Sequence, residues 1–523
     1  MRCEVLVIGG GATGAGIARD LSMRGAEVTL LEGKDFSSGA TGRSHGMLHS
    51  GARYAVKDPD SARECAEENA ILKRIARFCV EDTGGLFIGL DEEDEDYLNR
   101  FVKGCEDTGV DFRELCLDEA FELEPGISRE TRVAVEVQDG YVDPFFLAQG
   151  NVAEARVAGA VVRNHCQVVG MELWEDEIAE VRFRDRRSSS LETINPEVVV
   201  NATGAWGDRI ASMAGLRIPI RVDKGSLVIL NGRRTRGLVN RLRPPSDGDI
   251  VVPSHSSSIA GTTCMEVTSP DDCRATMEEV KVIMREATKM VPSLGEARAI
   301  RAYAGIRPLP AEADEGREIS RTFKLIDHAP EGVDNMISII GGKLTTYRLM
   351  AEKVSDAVIS KLGRKGACRT ALVEIGAECP GVDLECIGRP IITRMEVKYG
   401  SECKVISEMC AEEPRGMETL CSCEQVLRGE AMHFAASQDV ISVADLLRRT
   451  RAGMGYCQAG MCALRSLSVL EGEGADPLPL LREFMEERWK GTSPVLFDSQ
   501  LRQELFKLHM NTSLSLDRGG DQD

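Results

Sequence analysis

The sequence predicts an α/β fold, and three observations carry that reading. First, the apolar strand Val5-Leu-Val-Ile8 runs into Gly9-Gly-Gly11-Ala-Thr-Gly14, which opens a helix expected to reach about Arg24; a second strand follows over 27–32. Second, glycine-rich turns return far downstream, at Asn201-Ala-Thr-Gly204 and at Gly341-Gly342-Lys343, each directly after an apolar run. Third, four cysteines stand in two close pairs near the end of the chain. Together these describe a Rossmann-like dinucleotide-binding domain, an inserted mixed-sheet domain, and a small α-helical four-cysteine domain at the C-terminus.

The elements follow in order. A loop rich in Gly, Ser and Thr spans 36–51, then a charged helix over about 60–78; the acidic run 91–96 reads as a solvated loop or a helix start. Further strands are expected over 160–169, 198–202 and 336–340, with a helix to about Leu362 after Lys343. The expected organisation is a discontinuous nucleotide-binding domain (1–79, 146–204, 306–364), a substrate domain (80–145, 205–305), a connector (365–415), a cysteine domain (416–466) and a helical tail (467–523). A chain of 523 residues exceeds what one core organises, so several domains are required.

Bulk chemistry excludes some functions. The net charge of −20, from 64 basic and 84 acidic residues, argues against a nucleic-acid surface and against docking on anionic lipid. It leaves room for a local basic pocket that takes a small anion. No apolar run is long enough to span a bilayer and no leader precedes the first strand, so a cytoplasmic protein is expected, with any membrane link made through a partner. Seventeen scattered cysteines fit free thiols plus a metal site better than a disulfide framework.

Gly9 permits the tight turn, Gly11 lets backbone approach a pyrophosphate, and Gly14 lets helix and strand pack closely; Ala12 and Thr13 begin the helix whose N–H groups face the phosphates. Glu32, at the end of the second strand, is placed to accept from ribose hydroxyls. An acid there serves NAD or FAD. The distant glycine turns favour FAD, because a long flavin needs distributed contacts, and the fold expected is then of the glutathione-reductase and amino-acid-oxidase kind.

Several strings sharpen this. Gly39-Ala-Thr-Gly-Arg-Ser-His-Gly-Met-Leu-His-Ser-Gly-Ala-Arg-Tyr54 resembles the flavin loop of FAD-dependent glycerol-3-phosphate dehydrogenases. So do Val198-Val-Val-Asn-Ala-Thr-Gly-Ala-Trp206, Lys224-Gly-Ser226, Gly261-Thr-Thr263, Arg301-Ala-Tyr-Ala-Gly-Ile-Arg-Pro308, Gly341-Gly-Lys-Leu-Thr-Thr-Tyr-Arg348 and Glu487-Arg-Trp-Lys-Gly491. The resemblance runs nearly end to end and is greatest to the anaerobic branch. It implies flavin contacts at Thr41, Arg43, Ser44, His45, Gly46, Val168, Ala202, Gly204, Gly342, Lys343, Leu344 and Thr345. It also implies oxidation of sn-glycerol 3-phosphate to dihydroxyacetone phosphate by hydride transfer from C2 to FAD, with electrons passed through partner subunits to a quinone.

A phosphate dianion needs directional cationic donors. Arg307 heads the substrate-binding set, with Arg53, Tyr54 and Thr263 next and Arg321 and Lys343 after them. Taken singly, each arginine is better explained by a surface ion pair; their places in matched strings reverse that preference for Arg307 and Arg53, while Arg321 and Lys343 stay open between the two readings. The proton acceptor is open between His45 and His49, and both have the alternative of bonding only the loop or the flavin. Aerobic relatives carry a histidine after Lys-Gly-Ser; Leu227 stands there, which removes one candidate base, and an alternative to the two histidines has Arg307 polarise the oxygen while water carries the proton away.

Cys421-Ser-Cys423 and Cys457-Gln-Ala-Gly-Met-Cys462 suit a zinc site or a [2Fe–2S] cluster, with paired free thiols as a third reading. The spacing resembles the bacterioferritin-associated-ferredoxin type of [2Fe–2S] domain. Between the pairs, 443–449 reads as an amphipathic helix. Cys379, Cys386, Cys403 and Cys410 read as single buried thiols. Two other functions compete with the dehydrogenase: an amino-acid or hydroxy-acid oxidase on the same fold, and a four-cysteine module that serves docking or structure alone.

Overall fold

The computed structural model describes residues 1–311, 322–376 and 387–516. Its first sheet carries a parallel core in the order Val161–Arg163, Val28–Leu31, Arg2–Ile8, Leu191–Asn201 and Met336–Gly341. The central stretches 5–8, 28–31, 198–201 and 336–340 are buried on both faces, as parallel strands covered by helices must be. The helices Ala12–Met23, Pro144–Val157 and Tyr347–Lys361 cover one face, where Val5, Val7, Ile17, Leu21 and Val354 share a core. The antiparallel ribbon Cys166–Trp174 and Glu177–Asp185 feeds the Leu191–Asn201 strand and helps cover the other face.

A second sheet draws its strands from 85–137 and 220–310. Its longest pairing joins Ile220–Asn231 to Ala299–Pro310, with Asp223 opposite Arg307 and Gly225 opposite Gly305. The Ala299–Pro310 strand runs straight through the expected domain limit at 305/306. The acidic run is a helix start: Glu92–Thr108 is capped by the Asp91 carboxylate, which accepts from Asp94 N at 3.0 Å, and its acidic first turn faces the positive end of the helix dipole. Among the described residues no helix is long and apolar enough to cross a membrane.

The C-terminal module opens with the hairpin Thr419–Cys421 and Val426–Leu427. Helices Arg428–Ala435, Val443–Thr450, Ala463–Gly472 and Pro477–Thr492 then enclose a core of their own. The Val443–Thr450 helix buries Leu446 and Leu447 as its pattern requires, but it also buries Arg449. That guanidinium is matched by the equally buried Asp35 at 2.9 and 3.0 Å, so the polar side of the helix is a docking face rather than a solvated one.

Candidate functional site

The glycine loop forms a cradle. Gly9 has φ +110, and a Cβ there would lie 2.6 Å from Ala202 O; one on Gly14 would lie 1.9 Å from Gly9 O. The helix Ala12–Met23 begins at Gly11 with no side-chain cap from that residue. Its Ala12 N–H donates to Thr41 Oγ1 at 3.1 Å, which fastens the flavin loop to the helix start. Glu32 accepts from Gly10 N at 2.6 Å and Lys34 N at 2.8 Å, and burial pushes its carboxyl up despite those two donors. Donors at a helix start, a backbone with no room for Cβ atoms and a buried acid one strand away fit the adenosine diphosphate half of FAD.

The other expected flavin residues gather around this cradle. Ala202 N donates to Ile8 O at 2.9 Å, and Cys166, at the head of Val168's strand, donates to Glu32 O at 2.7 Å. Gly204 and Gly342 both adopt positive φ, +58 and +76. Thr13 reaches Met350 Sδ, and Leu344 packs with Leu48 and Val142. In the flavin loop, Ser44 Oγ accepts from Gly46 N at 3.3 Å and Arg43 reaches Ser38 O, Cys273 Sγ and Ala304 O. Tyr303 donates to Ser44 O at 2.9 Å, tying this loop to the strand that carries Arg307.

His45, His49, Tyr54, Lys343 and Thr345 come together. The His49 ring lies 6.0 Å from that of His45 and 5.2 Å from that of Tyr54, and His49 Nε2 is 3.5 Å from Tyr54 Oη. Lys343 Nζ stands 4.6 Å from the Tyr54 ring centre and donates to Ser61 Oγ at 2.8 Å. Thr345 Oγ1 accepts from His49 N at 3.0 Å, so the Gly-Gly-Lys turn and the flavin loop are joined directly. His45 Nδ1 accepts from Met47 N at 3.0 Å, which commits that ring nitrogen to the loop.

Arg307 is held before any ligand arrives. Nη1 donates to Asp223 Oδ2 at 2.5 Å, and Nη2 donates to Thr262 Oγ1 at 2.5 Å and to Thr263 O at 3.2 Å. Thr263 Oγ1 in turn donates to the buried Glu279, which also accepts from Ser226 Oγ at 2.7 Å and pairs with Lys224 at 3.1 Å. Thr263 is therefore a support for Arg307, with its hydroxyl turned to Glu279. Arg53 lies 3.6 Å from Asp249. Arg321 lies outside the described residues. Sequence reasoning missed Asp223, Glu279 and Asp249; an acid one residue before Lys224-Gly-Ser, in a strand, was the available signal.

The four cysteines form two pairs that interleave the two motifs. Cys462 hydrogen-bonds Cys421, which lowers the Cys421 thiol to about 6 against burial; the N–H groups of Gly453, Glu424 and Cys423 add to the effect. Cys462 is pushed far up by that bond and by burial. Cys423 is raised by burial and is hydrogen-bonded to Cys457. Among the described residues, the trio of ligand-type side chains within 4.8 Å of one another is Asp35, His165 and Asp445, so no three of the four sulfurs meet that spacing. Gln458 and Ala459, at φ 45 and 61, wrap the loop between the second pair in a left-handed turn. Cys403 and Cys410 are buried in one apolar cluster, and burial pushes the Cys410 thiol up to about 12. Cys379 and Cys386 lie outside the described residues.

This cradle on a two-sheet α/β frame defines a flavin-dependent oxidoreductase. The FAD dependent oxidoreductase family matches residues 4–355. The A subunit of the anaerobic glycerol-3-phosphate dehydrogenase of Escherichia coli (strain K12) is 43% identical over 96% of this chain and 95% of its own. The A1 subunit of the Haloferax volcanii enzyme of the same name is 39% identical over 99% of this chain and 91% of its own. The glycerol-3-phosphate dehydrogenase of Bacillus halodurans, solved with FAD, shares the fold at a TM-score of 0.67 and 21% identity, covering 100% of this chain and 97% of that one. The chain belongs to the FAD-dependent oxidoreductases and, within them, to the anaerobic glycerol-3-phosphate dehydrogenase A subunits.

Proposed function

We propose that this chain oxidises sn-glycerol 3-phosphate to dihydroxyacetone phosphate and passes the electrons to partner subunits and a quinone. One observation carries the reading. Arg53 lies in the flavin loop, and Arg307 and Lys343 are borne by the segments hydrogen-bonded to it, in a chain 43% identical over 96% of its length to an enzyme named for that substrate. Bound FAD supplies a hydride acceptor, and a [2Fe–2S] cluster supplies a one-electron carrier.

The chain's own residues do the rest. Arg307, already oriented by Asp223, Thr262 and Thr263, binds the phosphate with directional donors, and Arg53 and Lys343 complete its neutralisation. His49 takes the proton of the C2 hydroxyl, with Tyr54 and Thr345 ordering it. Leu227 is buried and without a titratable group, so it plays no part in that step. His45 holds the loop through Met47.

At the cysteines, tetrahedral zinc needs four sulfurs around one point, whereas a [2Fe–2S] cluster needs two pairs. The pairs Cys421 with Cys462 and Cys423 with Cys457, and the backbone N–H groups aimed at Cys421, support the cluster. The designation of the relatives as A subunits supports partner proteins, through which the complex meets the membrane.

The test is anaerobic purification, visible and EPR spectroscopy, and titration with sn-glycerol 3-phosphate. Flavin bleaching together with an EPR-active cluster is expected. A flavin untouched by this substrate refutes the proposed reaction; zinc in place of iron refutes the cluster; rapid peroxide formation in air favours an oxidase.

A further inference from the structure

The four-cysteine module is bound to the flavin loop through one arginine. Arg451 follows the Val443–Thr450 helix at φ +58, and its side chain is 8% exposed. Its Nη1 donates to Asp143 Oδ2, and its Nε donates to Glu424 Oε2 at 3.3 Å. Asp143 caps the Pro144–Val157 helix through its other oxygen and directly follows Val142, whose N–H donates to Gly46 O of the flavin loop at 2.7 Å. On the cysteine side, the Gly453 N–H reaches the Cys421 sulfur. A Cβ on Gly455 would lie 2.4 Å from Cys423 Cβ. Glu424, between the two ends, accepts at 2.7 Å from Ser256, in the turn that joins strands Ile250–Ser254 and Ser257–Gly261 of the second sheet. Five residues, 451–455, thus have one end clamped to the flavin loop's support and the other against two sulfurs.

We propose that Arg451 is a positioning residue that holds the sulfur-bearing loop in fixed register with the flavin loop, and so governs electron passage between flavin and cysteine module. The inference rests on the cluster reading above. In the step concerned, a cluster held by Cys421, Cys423, Cys457 and Cys462 would take one electron from the reduced flavin, one ferric iron becoming ferrous, with no atom transferred. Arg449 with Asp35 and His165 with Asp445 dock the module independently, so loss of Arg451 reorients the loop without releasing the module.

The experiment uses the full chain with Arg451→Met and Arg451→Lys. In Arg451→Met, exchange of the Gly453 and Val142 amides rises together by about tenfold, the size of one lost charged anchor. Flavin bleaching by sn-glycerol 3-phosphate stays at the wild-type rate, cluster bleaching after it slows by about tenfold, and Arg451→Lys restores most of both. Cluster bleaching at the wild-type rate in Arg451→Met overturns the proposal, as does faster exchange at Gly453 alone. A wild-type protein without a cluster refutes the cluster reading, and the paired exchange then decides the positioning role by itself. Should Arg451→Met fail to fold, Glu424→Gln must show the same paired exchange at smaller amplitude; unchanged exchange there overturns the proposal.

Discussion

Gly225 and Arg307 are packed so closely that no side chain fits between them: a Cβ on Gly225 would lie 2.2 Å from Arg307 Nη2. The two residues sit on paired strands, and the missing Cβ lets the guanidinium lie across the sheet toward Asp223, Thr262 and Thr263. Gly225→Ala is therefore expected to displace Arg307 while leaving the FAD cradle alone. A misplacement of this kind costs about 100-fold in kcat/KM. Steady-state kinetics alongside the flavin spectrum checks it; normal kinetics with full FAD removes Arg307 from the binding set.

The two histidines of the flavin loop should separate. His49 faces Tyr54, whereas His45 gives a ring nitrogen to Met47 N–H. His49→Asn should slow flavin reduction by about 100-fold or more, the range of loss expected for a general base. His45→Asn should cost only a few-fold. Stopped-flow reduction by substrate measures both, and the reverse order would move the base to His45.

Loss of a single sulfur should disable the proposed cluster site and spare the flavin. Cys462 is buried in the module's core and hydrogen-bonded to Cys421. Cys462→Ser should lose iron and the cluster's EPR signal, yet keep FAD and its bleaching by substrate. Iron analysis and one anaerobic titration decide this. Loss of flavin reduction in the variant would mean that the two halves are not separable.

Docking of the module should fail in acid. Burial pushes the Asp35 carboxyl up, but Arg449 and Arg448 outweigh that effect and hold it at about 2, below its ordinary 3.8. A carboxyl lowered in the folded state stabilises above its unfolded value and ceases to do so as pH falls through the folded value. The contribution, about 2 kcal/mol, is thus present above about pH 4 and lost towards pH 2. Protection factors of the Val443–Thr450 amides, with the intrinsic pH dependence of exchange divided out, should stay flat from pH 6 down to about pH 4 and then fall towards pH 3; in Arg449→Met they should be low throughout.

Much of this protein was legible in its residues because the information was local. The turn at Gly9, the close packing at Gly14 and the acid at Glu32 each have a physical reason that holds within one βαβ unit. The same holds for the run 91–96, where acids beside a helix start answer the helix dipole. The cysteine spacing likewise marked out a compact four-cysteine module before any packing was known.

What only the tertiary structure decided is which charges meet across the chain. Arg307 owes its orientation to Asp223 on a paired strand and to Glu279 behind Thr263, and nothing in their sequence separation foretells that. Arg449 looked like the solvated side of an amphipathic helix, yet it is buried against Asp35, more than 400 residues earlier. The sulfurs, adjacent by motif, pair across motifs as Cys421 with Cys462 and Cys423 with Cys457. Periodicity reports which face of an element is apolar. Partners for buried charges are chosen by how whole domains pack, because a charge removed from water must find its counter-charge wherever the fold brings one.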